Sequence, residues 1–449
     1  MSQHLLLQKE HVSKKNLKEK ILNRDAIVAV IGAGYVGLSL ATQLAKADYK
    51  VLAIDEDQTK VKQINTGNSY IEDVSSEELN ELVLQGRIIG VENYDMLAIS
   101  DIIIICVPTP LTINQEPDTS YIVDAVNKIA KFIHPEQMII LESTTYPGTT
   151  EEIILKSLES TGLIVGVDYF LAHSPERVDF GNKEHTRLNV PKIVGGITPS
   201  CNELSVLFYE QIVTVVPVSS AKIAEMAKVF ENTYRCVNIA LVNEMAMLCD
   251  RMGINVWEML DAAFTKPFGI HPFYPGPGVG GHCVPVDPFY LSWKAQEHNF
   301  MLKTIEVAGE INTSMPTFVV EKVSKALNSV GKKVENANIL ILGVSFKKDI
   351  SDYRESPALN IIEILKSSKA HVVYHDPFVP IIQVNNINSE VMYSVELSNN
   401  NLCDMDVVII ATDHSVFNYQ DIVANCSLVV DTKNATKFVQ TSREKIILL

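Results

Sequence analysis

Two stretches of the chain alternate short apolar runs with longer amphipathic ones, and a purely helical pattern separates them. In the first stretch, runs at residues 26–31, 50–54, 102–107, 138–141, 169–172, 192–195 and 213–218 read as strands. A helical pattern follows the first run to about residue 47, and another covers about 121–133. Apolar runs this short, without alternating polar positions, suit strands covered on both faces, as in a parallel sheet. Residues 220–252 then contain no glycine or proline, which allows a helix of about nine turns. A helix of that length links domains or forms a subunit interface. Helical patterns continue at 256–264, 289–297 and 305–327. Alternation resumes with strand runs at 339–342, 372–375, 407–410 and 428–430, and a helix ends near 366. The predicted fold class is α/β: two doubly wound Rossmann-like domains joined by a central helical domain with one long helix. The expected boundaries are 1–25 for a helical lead-in, 26–219 and 331–449 for the Rossmann-like domains, and 220–330 for the helical domain. The lead-in reads as a surface helix or a partly disordered arm.

The first strand run leads directly into Gly32-Ala33-Gly34-Tyr35-Val36-Gly37, then a helix, then a second strand that ends on Asp55. Glycines at these positions permit a tight turn, close approach of a pyrophosphate, and close packing of helix on strand. The helix N-terminus then faces the phosphates. An acid at Asp55 bonds the adenosine ribose hydroxyls and repels a 2′-phosphate, so the expected cofactor is NAD rather than NADP.

Polar loops follow the later strands. They carry Thr109, Ser143-Thr144-Thr145, and Ser174-Pro175-Glu176-Arg177. Ligands of open α/β sheets bind at such carboxyl ends, although Thr, Ser and Pro also serve there as turn and cap residues. The stretch from Pro275 to Pro288 is rich in glycine and proline and carries Cys283 four residues before Asp287. It is a loop of fixed path, on which Cys283 is either a nucleophile or a small apolar plug. Lys228 and Asn232, four residues apart, share one face of the long helix.

Composition narrows the options. The net charge of −16 argues against nucleic acid and anionic membrane surfaces as partners. Seven cysteines stand singly, without a CxxC pair or zinc spacing, so no metal site is expected and the compartment reads as reducing and cytoplasmic. The run at 102–107 is too short to span a bilayer, and the amino-terminal Leu5-Leu6-Leu7 is too short for a secretory core.

A dinucleotide site combined with a loop thiol suggests a particular chemistry. A hydride leaves an alcohol, the thiol adds to the aldehyde, a second hydride leaves the thiohemiacetal, and water cleaves the thioester to an acid. In a simpler two-electron dehydrogenase of the β-hydroxyacid or 6-phosphogluconate type, Cys283 would be structural and Lys228 the base. A non-catalytic NAD-binding regulator is the third possibility.

These motifs, in this order, resemble the UDP-glucose/GDP-mannose dehydrogenase family over about residues 15–440, with Phe346-Lys347 through Pro357 completing the set. The resemblance implies NAD-dependent oxidation at C6 of a UDP-sugar, in support of polysaccharide precursor supply. It makes Cys283 the nucleophile. Lys228 and Asn232 would hold the C6 oxygen, Asp287 would support the thiol and acid–base work, and Thr144 and Glu176 would position water or sugar. It assigns Gly32, Gly34, Tyr35, Val36, Gly37, Asp55, Thr109, Thr144 and Arg354 to NAD. Glu176, Arg177, Lys228, Asn232, Phe273, Tyr274, Gly280, Phe346 and Lys347 go to the substrate. The carboxyl-terminal domain would bind UDP and the long helix would form the core of a homodimer. Phe180 stands where UDP-glucose dehydrogenases often carry a second glutamate, and Lys433 where related chains often have arginine. The sequence around the cysteine loop is most similar to the branch acting on UDP-N-acetylglucosamine, with UDP-N-acetylmannosamine and UDP-glucose as alternatives.

Overall fold

A computed structural model of the chain describes residues 3–112, 116–178, 189–281, 284–384 and 390–449. Cys283 and Phe180 lie outside the described residues. The chain divides into two compact units, residues 1–231 with 289–298, and residues 232–288 with 299–449.

The first unit is built on strands β1 (Ile27–Ile31), β2 (Lys50–Ile54), β3 (Ile88–Val91), β4 (Ile102–Ile105), β5 (Met138–Leu141), β6 (Phe170–His173), β7 (Lys192–Gly196) and β8 (Val215–Val218). They form one sheet in the order β3-β2-β1-β4-β5-β6-β7-β8. All neighbours are parallel except β6 and β7. The chain moves outward from β1 through β2 to β3, then returns to β4 on the other side of β1. That reversal is the crevice where open α/β sheets bind ligands. Register places Ile31 beside both Ile54 and Ile105, so the loops after β1, β2 and β4 leave the sheet at one level. Val28 and Val30 belong to one core cluster, and Ala29 and Ile31 to another. Burial on both faces explains the absence of alternation in these runs.

The amino-terminal helix Gln3–Asn23 is a docked element rather than a loose arm. Ser13, Leu17 and Ile21, four residues apart, are buried, and the helix packs against Pro199–Tyr209. Lys20 reaches Asp101 at 2.5 Å, and Asp101 also accepts from the Ile27 amide at 2.8 Å, anchoring the helix to the start of β1. The narrow stripe is flanked by lysines and glutamates, which is why the segment reads as polar.

In the second unit, β9 (Asn338–Leu342), β10 (His371–His375), β13 (Val407–Ile410), β14 (Val429–Asp431) and β15 (Ile446–Leu448) form an all-parallel sheet in the order β10-β9-β13-β14-β15, while β11 (Ile381–Val384) and β12 (Glu390–Tyr393) pair as an antiparallel hairpin. This is the second doubly wound domain, without the glycine fingerprint. The helix Lys303–Ser329 continues through Pro316. A proline there removes the bond to the carbonyl of Asn312. That carbonyl lies 3.3 Å from where a Cβ on Gly278 would stand, so the glycine loop runs close beside it. The long helix Ala221–Met252 passes from the first unit into the second after Glu231, and Asp287–Glu297 passes back after Pro288.

Candidate active site

In the first unit the three glycines after β1 have three different surroundings. Gly32 has φ +91°, and a Cβ on it would lie 2.6 Å from the Cys106 carbonyl oxygen. On Gly37 a Cβ would lie 1.8 Å from the Gly32 carbonyl oxygen. Gly34, the N-cap of Tyr35–Lys46, would meet nothing within 4 Å, and no side chain caps that helix. The outer two glycines are required by the fold, and the middle one leaves open room at a helix N-terminus. Such a cradle fits a pyrophosphate. Asp55 spans the turn: Oδ2 accepts from the Ala33 amide at 2.8 Å, Oδ1 from the Asp57 amide at 3.0 Å, and Lys60 approaches Oδ2 at 3.2 Å. Tyr70 donates its hydroxyl proton to the Ala33 carbonyl.

The loops after β4, β5 and β6 carry further candidate residues of this unit. Thr109 is half-buried, and its carbonyl accepts from the hydroxyl of Tyr290, which also bonds Pro110. Ser143 Oγ donates to the Val107 carbonyl at 2.7 Å and Thr145 Oγ1 pairs with Thr149 Oγ1 at 2.7 Å. Among residues 143–150 only Thr144 is not buried. Glu176 is buried, and its Oε1 accepts from the amides of Arg177 and Val178, each at 2.8 Å. The Arg177 guanidinium is committed to Glu231 on the long helix, at 2.9 Å from Nε and 2.6 Å from a terminal nitrogen, and to the Pro191 carbonyl. Lys228 is buried on the same helix.

In the second unit Asn232 Nδ2 donates to Asp287 Oδ2 at 2.5 Å, with both side chains buried. Nearby, the glycine loop is packed too closely for side chains. Gly280 would put a Cβ 2.8 Å from both the Glu355 carbonyl and Phe346 Cβ. Gly281, at φ +87°, would put one 2.9 Å from the Phe346 ring. The Gly276 amide donates to Asn243 Oδ1 at 3.0 Å, and Asn243 Nδ2 donates to Asn312 Oδ1 at 2.9 Å. Phe273 lies edge-on to Tyr234 at 5.9 Å, and Tyr274 stacks on Trp257 at 6.0 Å while donating to Asp261 at 2.8 Å. Lys347 follows Phe346 on the turn after β9, and its carbonyl accepts from Ser345 Oγ at 2.8 Å. Arg354 belongs to this unit rather than to the one with the glycine cradle, and its Nε lies 3.0 Å from Asp352. Lys433, just beyond β14, brings Nζ to 3.2 Å from the Cβ position of Gly276. Burial there pushes its pKa down, against the pull of Asp413 and Asp431.

The sequence matches all three domains of the UDP-glucose/GDP-mannose dehydrogenase family: the NAD binding domain over residues 26–213, the central domain over 222–314 and the UDP binding domain over 340–438. The chain belongs to this family. It is therefore an NAD-dependent oxidoreductase of the nucleotide-sugar dehydrogenases, and the cradle at Gly34 lies in the matched NAD binding domain. A UDP-N-acetyl-D-mannosamine dehydrogenase of Pyrococcus horikoshii is 36% identical over 418 residues, 91% of this chain and 96% of that protein. A UDP-N-acetyl-D-glucosamine 6-dehydrogenase of Pseudomonas aeruginosa is 37% identical over 359 residues, 79% of this chain and 84% of that protein. A solved UDP-D-ManNAc dehydrogenase from Pyrococcus horikoshii superimposes with a TM-score of 0.85 at 33% identity, covering 94% of this chain and 98% of that one.

Three groups at this family member's loops were not legible as site residues. Glu225, buried on the long helix, holds the turn after Thr144. Its only sequence signal is an acid three residues before Lys228 on the same helical face. Tyr290 ties the helix after the cysteine loop to Thr109. Glu142 accepts from the Tyr209 hydroxyl at 2.5 Å and faces Lys192 at 2.9 Å, forming a buried pair under the loop that begins at Ser143. Among the described residues, no helix is long and apolar enough to cross a membrane.

Proposed function

We propose that this protein oxidises C6 of a UDP-N-acetylhexosamine to a carboxylate, with UDP-N-acetyl-D-glucosamine as substrate and UDP-N-acetyl-D-glucosaminuronate as product. The observation that carries the reading is the buried Asn232–Asp287 pair, which ties the end of the cysteine loop to the helix that carries Lys228. Bound NAD accepts the hydrides, one molecule for each of the two oxidations. Lys228 Nζ and Asn232 Nδ2 bind the C6 oxygen and stabilise negative charge on it. Asp287 takes the proton of the C6 hydroxyl through Lys228 or a water. Cys283 Sγ adds to the C6 aldehyde, and the sulfur–carbon bond survives the second oxidation as a thioester. Water held by Thr144 and Glu176 cleaves that bond, releasing the acid and restoring the thiol. Gly276 to Gly280, Phe346, Lys347 and Lys433 supply the backbone amides, ring and positive charge suited to a sugar diphosphate.

The 37% identity to a protein named UDP-N-acetyl-D-glucosamine 6-dehydrogenase supports the choice of sugar. A second reading, UDP-N-acetyl-D-mannosamine, is favoured by the fuller coverage and the TM-score of 0.85. Turnover of both sugars and UDP-glucose, followed by NADH absorbance and product mass, separates them. Two NADH per sugar and a carboxylate are expected. One NADH with a free aldehyde or ketone, or unchanged acid formation in Cys283→Ala, sinks the thioester route.

We further infer a cytoplasmic homodimer that supplies a polysaccharide precursor. Ile223, Met226, Phe230, Leu241, Leu248 and Met252 support the dimer: they are exposed on the long helix at spacings that keep them on one side.

A further inference from the structure

The segment that carries Thr144 is closed by one carboxylate from the long helix. The Gly148 amide donates to Glu225 Oε2 at 2.5 Å, and the Thr150 amide donates to Oε1 at 2.8 Å. Thr150 Oγ1 donates to the same Oε1 at 2.6 Å. Glu225 is 1% exposed, so water does not share these bonds. Both carboxylate oxygens face N–H or O–H donors. An amide there sets its N–H2 against a donor, whereas the carboxylate accepts from all three. Burial opposes that ion and pushes its pKa up to about 7, against the pull of Thr150 and Gly148 and with a small addition from Glu151.

The clamp joins two parts of the proposed chemistry. Gly148 lies four residues after Thr144, and Glu225 three residues before Lys228 on the same helical face. Gly148 has φ +109°, a backbone conformation that side-chain-bearing residues rarely adopt. From its other side the segment is held by the helix Asp287–Glu297. Trp293 packs on Tyr146 at 5.0 Å, and Lys294 bonds Glu152 at 2.6 Å while standing over the Tyr146 ring. The segment continues as a π-helical turn, Thr150–Leu155, a local geometry often found at functional sites.

We propose that Glu225 is a positioning residue whose carboxylate locks the Thr144 segment against the helix turn bearing Lys228. This rests on the roles proposed above for Thr144 and Lys228. The charged groups around the clamp are Lys222 and Lys228 on its own helix, Glu151 and Glu152 on the segment, and Lys294 on the helix behind it. Protonating Glu225 weakens the bonds it accepts, since bonds to an ionised acceptor are the stronger ones, so turnover falls on the acid side as the carboxylate is lost.

The test uses the full chain with Glu225→Gln and Thr150→Val, alongside Lys228→Ala and Thr144→Ala. Glu225→Gln is expected to lower kcat by roughly tenfold to a hundredfold, the scale of a small misplacement of reacting groups. NAD affinity is expected to fall by less than kcat, since of the residues assigned to NAD only Thr144 lies on the clamped segment. The acid limb of kcat against pH disappears in this variant. Thr150→Val removes one donor from the carboxylate, so its acid limb moves to higher pH. A folded Glu225→Gln protein with wild-type kcat and pH profile overturns the proposal. If that variant does not fold, an unmoved acid limb in Thr150→Val overturns it. Wild-type turnover in Lys228→Ala and Thr144→Ala removes the underlying reading and the proposal with it. Loss in those two without loss in the clamp variants overturns the clamp alone.

Discussion

Asn232 Nδ2 stands 2.5 Å from Asp287 Oδ2, and neither side chain reaches solvent. The bond joins a residue in the interior of a long helix to the first residue of another, Asp287–Glu297. Removing one partner takes a donor from a buried carboxylate, which costs about 1–3 kcal/mol. Asn232→Ala is expected to lose stability on this scale in urea unfolding. The double variant with Asp287→Ala is expected to be less destabilised than the sum of the two single ones. Strict additivity would mean that the two groups do not interact.

The glycines of the first turn make opposite predictions. Gly37→Ala places a methyl 1.8 Å from the Gly32 carbonyl oxygen, so helix and strand must separate. It is expected to destabilise the fold by about 3 kcal/mol or more. Gly34→Ala meets open space and has a φ of −76°, so its melting temperature is expected to stay within a few degrees of the parent. Its NAD affinity falls, because the methyl enters the space offered to the pyrophosphate. Thermal melts and NAD titration on the same two proteins check both statements.

Two buried groups give acid stability opposite slopes. Burial, reinforced by Lys192, depresses the His173 pKa from 6.5 to about 3. The unfolded chain therefore binds the extra proton first, and stability is lost as pH falls from about 6.5 towards 3, by up to about 4–5 kcal/mol. Glu225 has a raised pKa, so its contribution is most favourable below about 4.5 and declines as pH rises to about 7. Unfolding in urea at pH 5 and pH 7.5 is expected to show a flatter acid loss in His173→Leu and a steeper one in Glu225→Gln. The same pH dependence in all three proteins would rule out both contributions.

The apolar side of the long helix should bind a second copy. Phe230, 61% exposed, and Leu241, 54% exposed, stand on either side of its middle. Phe230→Asp with Leu241→Glu is expected to shift sedimentation from dimer to monomer, since charges resist burial in an apolar interface. A parent protein that sediments as a monomer at micromolar concentration would refute the dimer.

The sequence by itself determined the two doubly wound domains, because strands buried on both faces must be continuously apolar. The runs 102–107 and 407–410 have no other good use. It determined the dinucleotide turn as well, since Gly32 and Gly37 are demanded by backbone positions with no room for Cβ. It left β3, β15 and the β11–β12 hairpin unread. These are short edge or hairpin strands with part-exposed faces, where the hydrophobic signal fades. Only the tertiary structure decided what the isolated polar residues do. Arg177 looks like a substrate cation in one dimension, yet its guanidinium is held by Glu231, 54 residues away. Glu225 looks like one more surface acid on a helix, yet it is buried against three donors from a turn 75 residues earlier. Local spacing encodes backbone geometry and which face is apolar. A buried hydrogen bond between distant residues depends on where the folded chain brings them, and neither residue alone carries that signal.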